Sequence, residues 1–305
     1  MKTAIQLFVI GIVLSMISCQ KEFSIENNSG NPPTVLNDTI YLDKAIQVYD
    51  DMQGDIDSLV RHFAYDNLKR VTAVMDTNFY NGVPDIITSV SYFYNNNDSL
   101  PDKSYSLYQS IPSPDYDTTT HFFTYDVQGR LTRDSSISRE LSGSGYIVAK
   151  EIIKTQYAQS VNYYDRVVTG LLVPVTVFID FNHKDTAWLD VNGNVKKDVS
   201  HSYTTNPASQ MLEYTGTYTY DNKPNPYSRL NIFATFIRNH SGSVIVRPQF
   251  NNYITYFSED YFFGGPSVFS ENFTHSFNNK GLLVQSYGLA NNGDVDRSYY
   301  TYKSL

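Results

Sequence analysis

The stretch 121–135, HFFTYDVQGRLTRDS, predicts a β-hairpin and contains the repeat that decides the fold. Asp126 suits the first position of a type I turn, where its carboxylate caps the backbone two residues on. Gly129 suits the left-handed conformation that closes a bulged hairpin. Apolar residues flank the turn, Tyr125 before Asp126 and Leu131 five residues after it. One face of the hairpin is therefore expected to be buried.

The same pattern recurs along the chain. Alignment on the acidic or amide residue gives copies at Asp66, Asn95, Asp126, Asp190, Asp221 and Asn278, separated by 29, 31, 64, 31 and 57 residues. Two of these steps are near double the others, so the unit is about 30 residues and two copies have decayed or acquired insertions. The predicted structural turn residues are Asp66, Asp126, Gly129, Asp190, Gly193, Asp221, Asn278 and Gly281.

Between the turns the side chains alternate with period 2, as Tyr214, Tyr218 and Tyr220 do against intervening threonines. The 26 tyrosines and 18 phenylalanines suit half-buried strands. We predict an all-β fold, an antiparallel meander of hairpin repeats that forms one large twisted sheet. Strand shear cannot be read from the sequence, so the sheet is expected to be either open or rolled into a partial barrel.

These units resemble YD repeats, the tyrosine-aspartate motif YDxxGRL of bacterial Rhs proteins and teneurins. FTYDVQGRL is the specific match and the other copies are degenerate. The resemblance covers roughly residues 41–305 and implies the hairpin unit. It does not imply the closed shell of Rhs proteins, because six copies are too few to enclose a domain. A lipobox-like N-terminus followed by a few degenerate repeats is similar to the organisation of Bacteroidetes surface lipoproteins.

The N-terminus has the layout of a secretory signal, with Lys2 before an apolar run from Ala4 to Ser18. The run is shorter than the roughly 20 residues of a membrane-spanning helix. SMISCQKE resembles the lipobox of bacterial lipoproteins, which implies that Cys19 is lipidated, with palmitate among its acyl chains. Cys19 is the only cysteine in the chain, so it has no disulfide partner. An ordinary secretory signal with an incidental cysteine is the alternative.

The predicted organisation is a signal peptide (1–18), a lipid-anchored flexible tether (19–40) and one YD-repeat-like β domain (41–305). The tether is polar and contains paired prolines. Loss of residues 1–18 removes one cation and leaves 22 basic against 31 acidic residues, a net charge of −9. Binding of nucleic acid through a basic face is therefore disfavoured.

Catalytic or metal-binding spacing is absent from the sequence. The six histidines (His62, His121, His183, His201, His240 and His275) lack the close pairing of common metal sites. The acidic segments DVNGNVKKD at 190–198 and NNGDVDRS at 291–298 suggest calcium loops only superficially, and hairpin turns explain both. We expect no cofactor, no metal and no enzyme activity, with a hydrolase as the remote alternative.

The expected function is that of a non-catalytic outer-membrane lipoprotein, attached through Cys19, whose β-array is a scaffold or binding surface for an envelope protein or polysaccharide. The alternative is a glycan-binding module that uses tyrosines on the sheet face. Its candidate aromatic face consists of the residues before each turn, Tyr65, Tyr94, Tyr125, Tyr220 and Phe277. If these rings are buried they are core, and if they are exposed they could stack against sugars.

Overall fold

A computed structural model describes residues 40–304 except 53, 55, 112, 114–115, 143–144, 159, 174–176, 204–210, 231–250 and 262–265. The predicted signal peptide, Cys19 and the tether up to residue 39 lie outside the described residues, as does His240.

The described residues form sixteen β-strands and one short 3-10 helix, Pro226–Arg229, between the twelfth and thirteenth strands. The strands are β1 (Ile40–Asp50), β2 (Ile56–Tyr65), β3 (Val71–Tyr80), β4 (Val83–Phe93), β5 (Lys103–Ser110), β6 (Tyr116–Tyr125), β7 (Leu131–Ser142), β8 (Gly145–Tyr157), β9 (Val161–Val173), β10 (Val177–Leu189), β11 (Val195–Tyr203), β12 (Met211–Pro224), β13 (Asn251–Asp260), β14 (Ser267–Phe277), β15 (Leu283–Ala290) and β16 (Val295–Ser304).

The sheet is a closed barrel. Each strand pairs antiparallel with its neighbours in the chain, and β1 pairs with β16 from Ile40 opposite Ser304 to Asp50 opposite Val295. The predicted all-β antiparallel meander is thus confirmed, whereas the prediction of an open or partial barrel was wrong. Pairing the first strand with the last leaves no strand edge unpaired, which removes the template for aggregation that an open sheet exposes.

The hairpin turns with the repeat motif all lie at one end of the barrel, which we call the turn rim. Ile40 and Ser304, where the barrel begins and ends, lie at the same rim because β1 and β16 pair there. The opposite end, which we call the far rim, carries the β1–β2 connection, the turn at Asn81 and Gly82, and the turn at 291–294.

The two long steps of the repeat have different origins. The step from Asp126 to Asp190 contains a further turn, between β8 and β9, where Ala158 stands in place of the acidic residue. The step from Asp221 to Asn278 contains an insertion, since β12 and β13 pair directly although residues 225–250 lie between them. In this insertion Asn225 caps the 3-10 helix by accepting the Tyr227 N–H at 2.9 Å.

The lumen is filled with apolar side chains near the turn rim. Leu230, directly after the 3-10 helix, is buried there, and Tyr227 packs against Phe63 with ring centroids 6.2 Å apart. The buried members of this cluster are Leu42, Phe63, Val71, Val74, Val90, Tyr92 and Leu230. The start of the insertion therefore packs inside the barrel rather than on its outer wall.

Candidate binding site in the lumen

The predicted turn residues lie in one recurring turn geometry. Gly129, Gly193 and Gly281 have φ values of +73°, +84° and +74°. In the same turns Asp126, Asp190 and Asn278 each accept, on Oδ1, the N–H groups two and four residues on, at 2.8–3.0 Å. Each turn is followed by a bulge in the strand pairing: Tyr125 lies opposite Leu131 and Thr124 opposite Arg133, so Thr132 is the extra residue after the turn.

The two remaining acidic turn residues have the same acceptor role without a glycine. Asp66 accepts the N–H groups of Leu68 and Arg70, while Lys69 adopts a φ of +71° at the position that glycine occupies elsewhere. Asp221 accepts the N–H groups of Lys223 and Asn252, at the point where the inserted segment leaves the hairpin.

The tyrosines before the turns connect neighbouring hairpins. Each donates its hydroxyl hydrogen to a backbone carbonyl on, or just before, the adjacent strand that precedes its own, with oxygen–oxygen distances of 2.6–2.9 Å. The pairs are Tyr65 to Leu42, Tyr94 to Val71, Tyr125 to Pro101, Tyr157 to Leu131, Tyr220 to Val195 and Tyr302 to Leu283.

These hydrogen bonds, which we call the tyrosine ladder, show where the residues of the candidate aromatic face lie. Tyr65, Tyr94, Tyr125 and Tyr220 are half-buried and pack against the core clusters, and their hydroxyls are engaged. Phe277 packs edge-on against His275, with ring centroids 6.2 Å apart. The rings therefore do not form the open platform that sugar stacking would need. Tyr157 and Tyr302 were missed in the sequence because neither is followed by Asp or Asn.

Alternate residues of each strand point into the barrel, and many of these inward-facing residues are polar. Arg61 and Asp76 form a buried bidentate ion pair at 2.6 and 2.8 Å, and His121 lies 3.0 Å from Asp134 on the neighbouring strand. Arg166 donates to Glu151 in the same way across β8 and β9. These contacts pair buried polar side chains across neighbouring strands.

A tyrosine network occupies the inner wall of β11 to β13. The Tyr214 hydroxyl lies 2.9 Å from that of Tyr218 and 3.1 Å from that of Tyr256, and Tyr218 donates to Asp198 at 2.9 Å. Gly216 makes room for the network, because a β-carbon there would overlap Asp198 Oδ1 and two of the hydroxyls.

A cavity of about 660 Å³ opens beside this network toward the far rim. Its walls come from eight adjacent strands, β13 to β16 and β1 to β4. Asp57, Tyr80 and Asp85 at its mouth are exposed, whereas Tyr256 and Glu271 at its floor are each 7% exposed. The cavity therefore deepens from the far rim into the lumen, and its volume matches that of small-ligand sites.

The cavity is acidic. Six of its lining residues are carboxylic acids and, in the described part of the chain, none is Lys, Arg or His: Asp57, Asp85, Asp260, Glu271, Asp294 and Asp296. Tyr49 donates to Asp294, which raises the pKa of the phenol to about 12, and Gln47 donates to Asp296 at 2.5 Å. Uncharged donors thus hold two of the carboxylates in place.

Glu271 is the most buried carboxylate of the cavity. Burial, reinforced by the charges of Asp296 and Asp294, raises its pKa from 4.5 to about 7. Gly288 on the neighbouring strand leaves the space for its side chain, because a β-carbon there would overlap Glu271 Oε1. No group of three or more His, Cys, Asp or Glu residues in the described ranges is arranged to hold a metal ion.

Sequence reasoning did not find this cavity, because its acids come from distant strands. The only local signal was the segment from Asn291, whose Asp294 and Asp296 were interpreted as part of a hairpin turn. They do belong to the β15–β16 connection and the start of β16, and their side chains line the cavity.

The outer wall carries a row of polar and charged side chains across part of its circumference. The strand register aligns residues of five consecutive strands, β7 to β11: Arg133, Lys154, Asp165, Lys184 and His201. On β12 the residue opposite His201 is the apolar Leu212, so this row ends at β11; a separate polar alignment on β12 to β14 joins Thr219, Thr255 and Asn272. No helix among the described residues is long and apolar enough to cross a membrane.

No protein-family model and no curated protein sequence matches the chain. Among solved structures, the chain is similar to a porin-like protein from Bacteroides vulgatus, with a TM-score of 0.53, 12% identity, and coverage of 88% of this chain and 100% of that one. A porin-like protein from Bacteroides uniformis gives a TM-score of 0.46 at 11% identity, over 86% and 96% of the two chains. The first likeness shows that the two chains share the fold of a closed antiparallel barrel.

Proposed function

We propose that this chain is a non-catalytic outer-membrane lipoprotein, anchored through a lipidated Cys19, whose barrel stands beside the bilayer and binds a ligand of the cell envelope in its lumenal cavity. The repeated hairpins are in this view a YD-type scaffold of the kind that Bacteroidetes surface lipoproteins carry. The binding surface is the lumen and not the tyrosines before the turns.

The observation that carries the proposal is the charged row on the outer wall. In a membrane-spanning barrel the outer wall faces lipid in an apolar band about 25 Å tall, and a Lys or Arg at mid-membrane costs about 2–4 kcal/mol. Arg133, Lys154 and Lys184 lie at successive levels of neighbouring strands, together with Asp165. The stretch of outer wall that carries this row is suited to water.

The chain path supports the orientation of the cavity. The barrel begins at Ile40 on the turn rim, so a tether from Cys19 reaches the barrel at the end opposite the cavity mouth. A lipid anchor on this side would direct the mouth away from the membrane surface. Several acyl chains on one cysteine are sufficient for stable anchoring, so the strands need not enter the bilayer.

The test is fractionation of cells that express the full chain or its Cys19→Ala variant. We expect the wild type in the membrane fraction, released by detergent, and the variant in the soluble fraction as a folded barrel without detergent. A variant that stays in the membrane would show that the strands, and not Cys19, hold the protein there.

A membrane channel is the second candidate, because the structural neighbour is porin-like and barrels of 16 strands are wide enough for a channel. The charged outer row and the apolar filling of the lumen near the turn rim both disfavour it. Planar-bilayer recordings separate the two functions: the lipoprotein should give no conductance steps, whereas a channel should.

A further inference from the structure

The lumenal cavity has a strongly acidic lining among the described residues. Its lining contains six carboxylates and no cationic side chain. The ion pairs of the inner wall, such as Arg61 with Asp76, lie outside this lining. Clefts lined by charge of one sign concentrate ligands of the opposite sign.

Glu271 is a second indication of a bound ligand, independent of the number of carboxylates in the lining. Its side chain is 93% buried and lines the cavity floor, yet in the described part of the chain its carboxylate has no hydrogen-bond donor and no ion-pair partner. Among the described residues, the charged and titratable groups that face it are Asp294, Asp296, Tyr49 and, opposite it on β13, Tyr256, none of which is a cation. Buried carboxylates in proteins are normally paired with a cation or with donors.

The walls around Glu271 define the chemistry of the missing partner. Tyr49, Tyr80, Tyr256 and Phe269 contribute aromatic surface, which attracts ammonium groups through the ring quadrupole. A volume of about 660 Å³ accommodates an organic molecule and is far larger than one metal ion needs. The carboxylates lie both at the floor and at the mouth, so a ligand with more than one charge can reach both.

We propose that the cavity binds a small organic cation that carries ammonium groups, with Glu271 as its buried counter-ion. This inference rests on the proposed function, in which the lumen is the binding site, and it specifies the class of ligand. Asp294 and Asp296, from the far-rim turn and the start of β16, add negative charge near Glu271, and the exposed acids Asp57 and Asp85 attract the cation at the mouth.

The test is isothermal titration calorimetry of the detergent-solubilised full chain with spermidine at pH 8 and low salt. The wild type should bind, and both Glu271→Gln and Asp296→Asn should weaken binding by at least about tenfold, which corresponds to loss of one charge contact. The matched control is Asp98→Asn, an exposed acid at the turn rim, which should bind as the wild type does. Circular dichroism checks that each variant keeps the strand content of the barrel.

Two further probes separate failure of this inference from failure of the proposed function. If maltotriose binds and spermidine does not, the ligand class is wrong while the lumenal binding protein stands. If calcium binds with a loss in Glu271→Gln and spermidine does not, the site is a metal site and the inference is overturned. Spermidine binding that is unchanged in Glu271→Gln overturns the role of Glu271. If none of the three probes binds, the inference is overturned, and if the barrel also conducts ions the proposed function fails with it.

Discussion

Replacing Glu271 with glutamine should stabilise the barrel at alkaline pH and have little effect at pH 4. The folded-state pKa of about 7 lies above the ordinary value of 4.5, so the folded protein holds this proton more tightly than the unfolded chain. The resulting stability is fully present below pH 4.5 and is lost as the pH rises through 7. Each pKa unit corresponds to 1.36 kcal/mol, so the ionised carboxylate costs the folded state roughly 3 kcal/mol at pH 8.5.

The assay is urea unfolding of wild type and Glu271→Gln at pH 4 and pH 8.5, followed by the fluorescence of the single tryptophan, Trp188. Other titrating groups are common to both proteins and cancel in the difference. Carbon-13 NMR of the Glu271 carboxyl group supplies the pKa directly. A difference in unfolding free energy that is the same at both pH values, or a carboxyl titration near 4.5, would refute the reasoning.

Three substitutions test the scaffold by equilibrium unfolding. Gly129→Ala should destabilise by about 1 kcal/mol because of the positive φ, whereas Val127→Ala, at a position 96% exposed, should be silent; equal effects would contradict the turn geometry. Tyr125→Phe should destabilise by about 1 kcal/mol through loss of its hydrogen bond to the Pro101 carbonyl. The control Tyr116→Phe, on an exposed ring, should have no measurable effect. Unchanged stability of Tyr125→Phe would show that the tyrosine hydrogen bonds do not stabilise the barrel. Gly216→Ala should cost about 1–3 kcal/mol by overpacking the tyrosine network, and unchanged stability would show that the network relaxes freely.

The repeating hairpin could be predicted because its signal is local. Asp126 and Gly129 lie three residues apart, and both are required by the geometry of one turn. The β8–β9 turn could not be found in this way, since Ala158 has no side-chain acceptor and only Tyr157 keeps the pattern. At Asp221 the situation is reversed, because Tyr220 and Asp221 keep the first part of the motif but the chain leaves the hairpin at Pro224.

Closure of the barrel and the lumenal site depend on long-range pairing. Ile40 lies opposite Ser304, and nothing in either segment encodes the stagger that brings them together. Glu271 is on β14 and Asp296 is on β16. In the sequence, neither differs from any other acidic residue on a strand with alternating polarity. They become a site only because inward-facing positions of neighbouring strands meet at one level of the lumen.

The most direct test of the account is the environment of the outer wall in the native membrane. A lipidated Cys19 has no free thiol, so a single added cysteine is the only reactive one. Met75, Ile137 and Thr217 are exposed on three separate strands near mid-height and serve as positions for Met75→Cys, Ile137→Cys and Thr217→Cys. In isolated membranes, opened to admit the reagent, each should react with a membrane-impermeant maleimide as fast as it does in detergent-free solution after the anchor is removed by proteolysis of the tether. Protection of all three thiols in the membrane, relieved only by detergent, would show that the barrel spans the bilayer and would contradict the account.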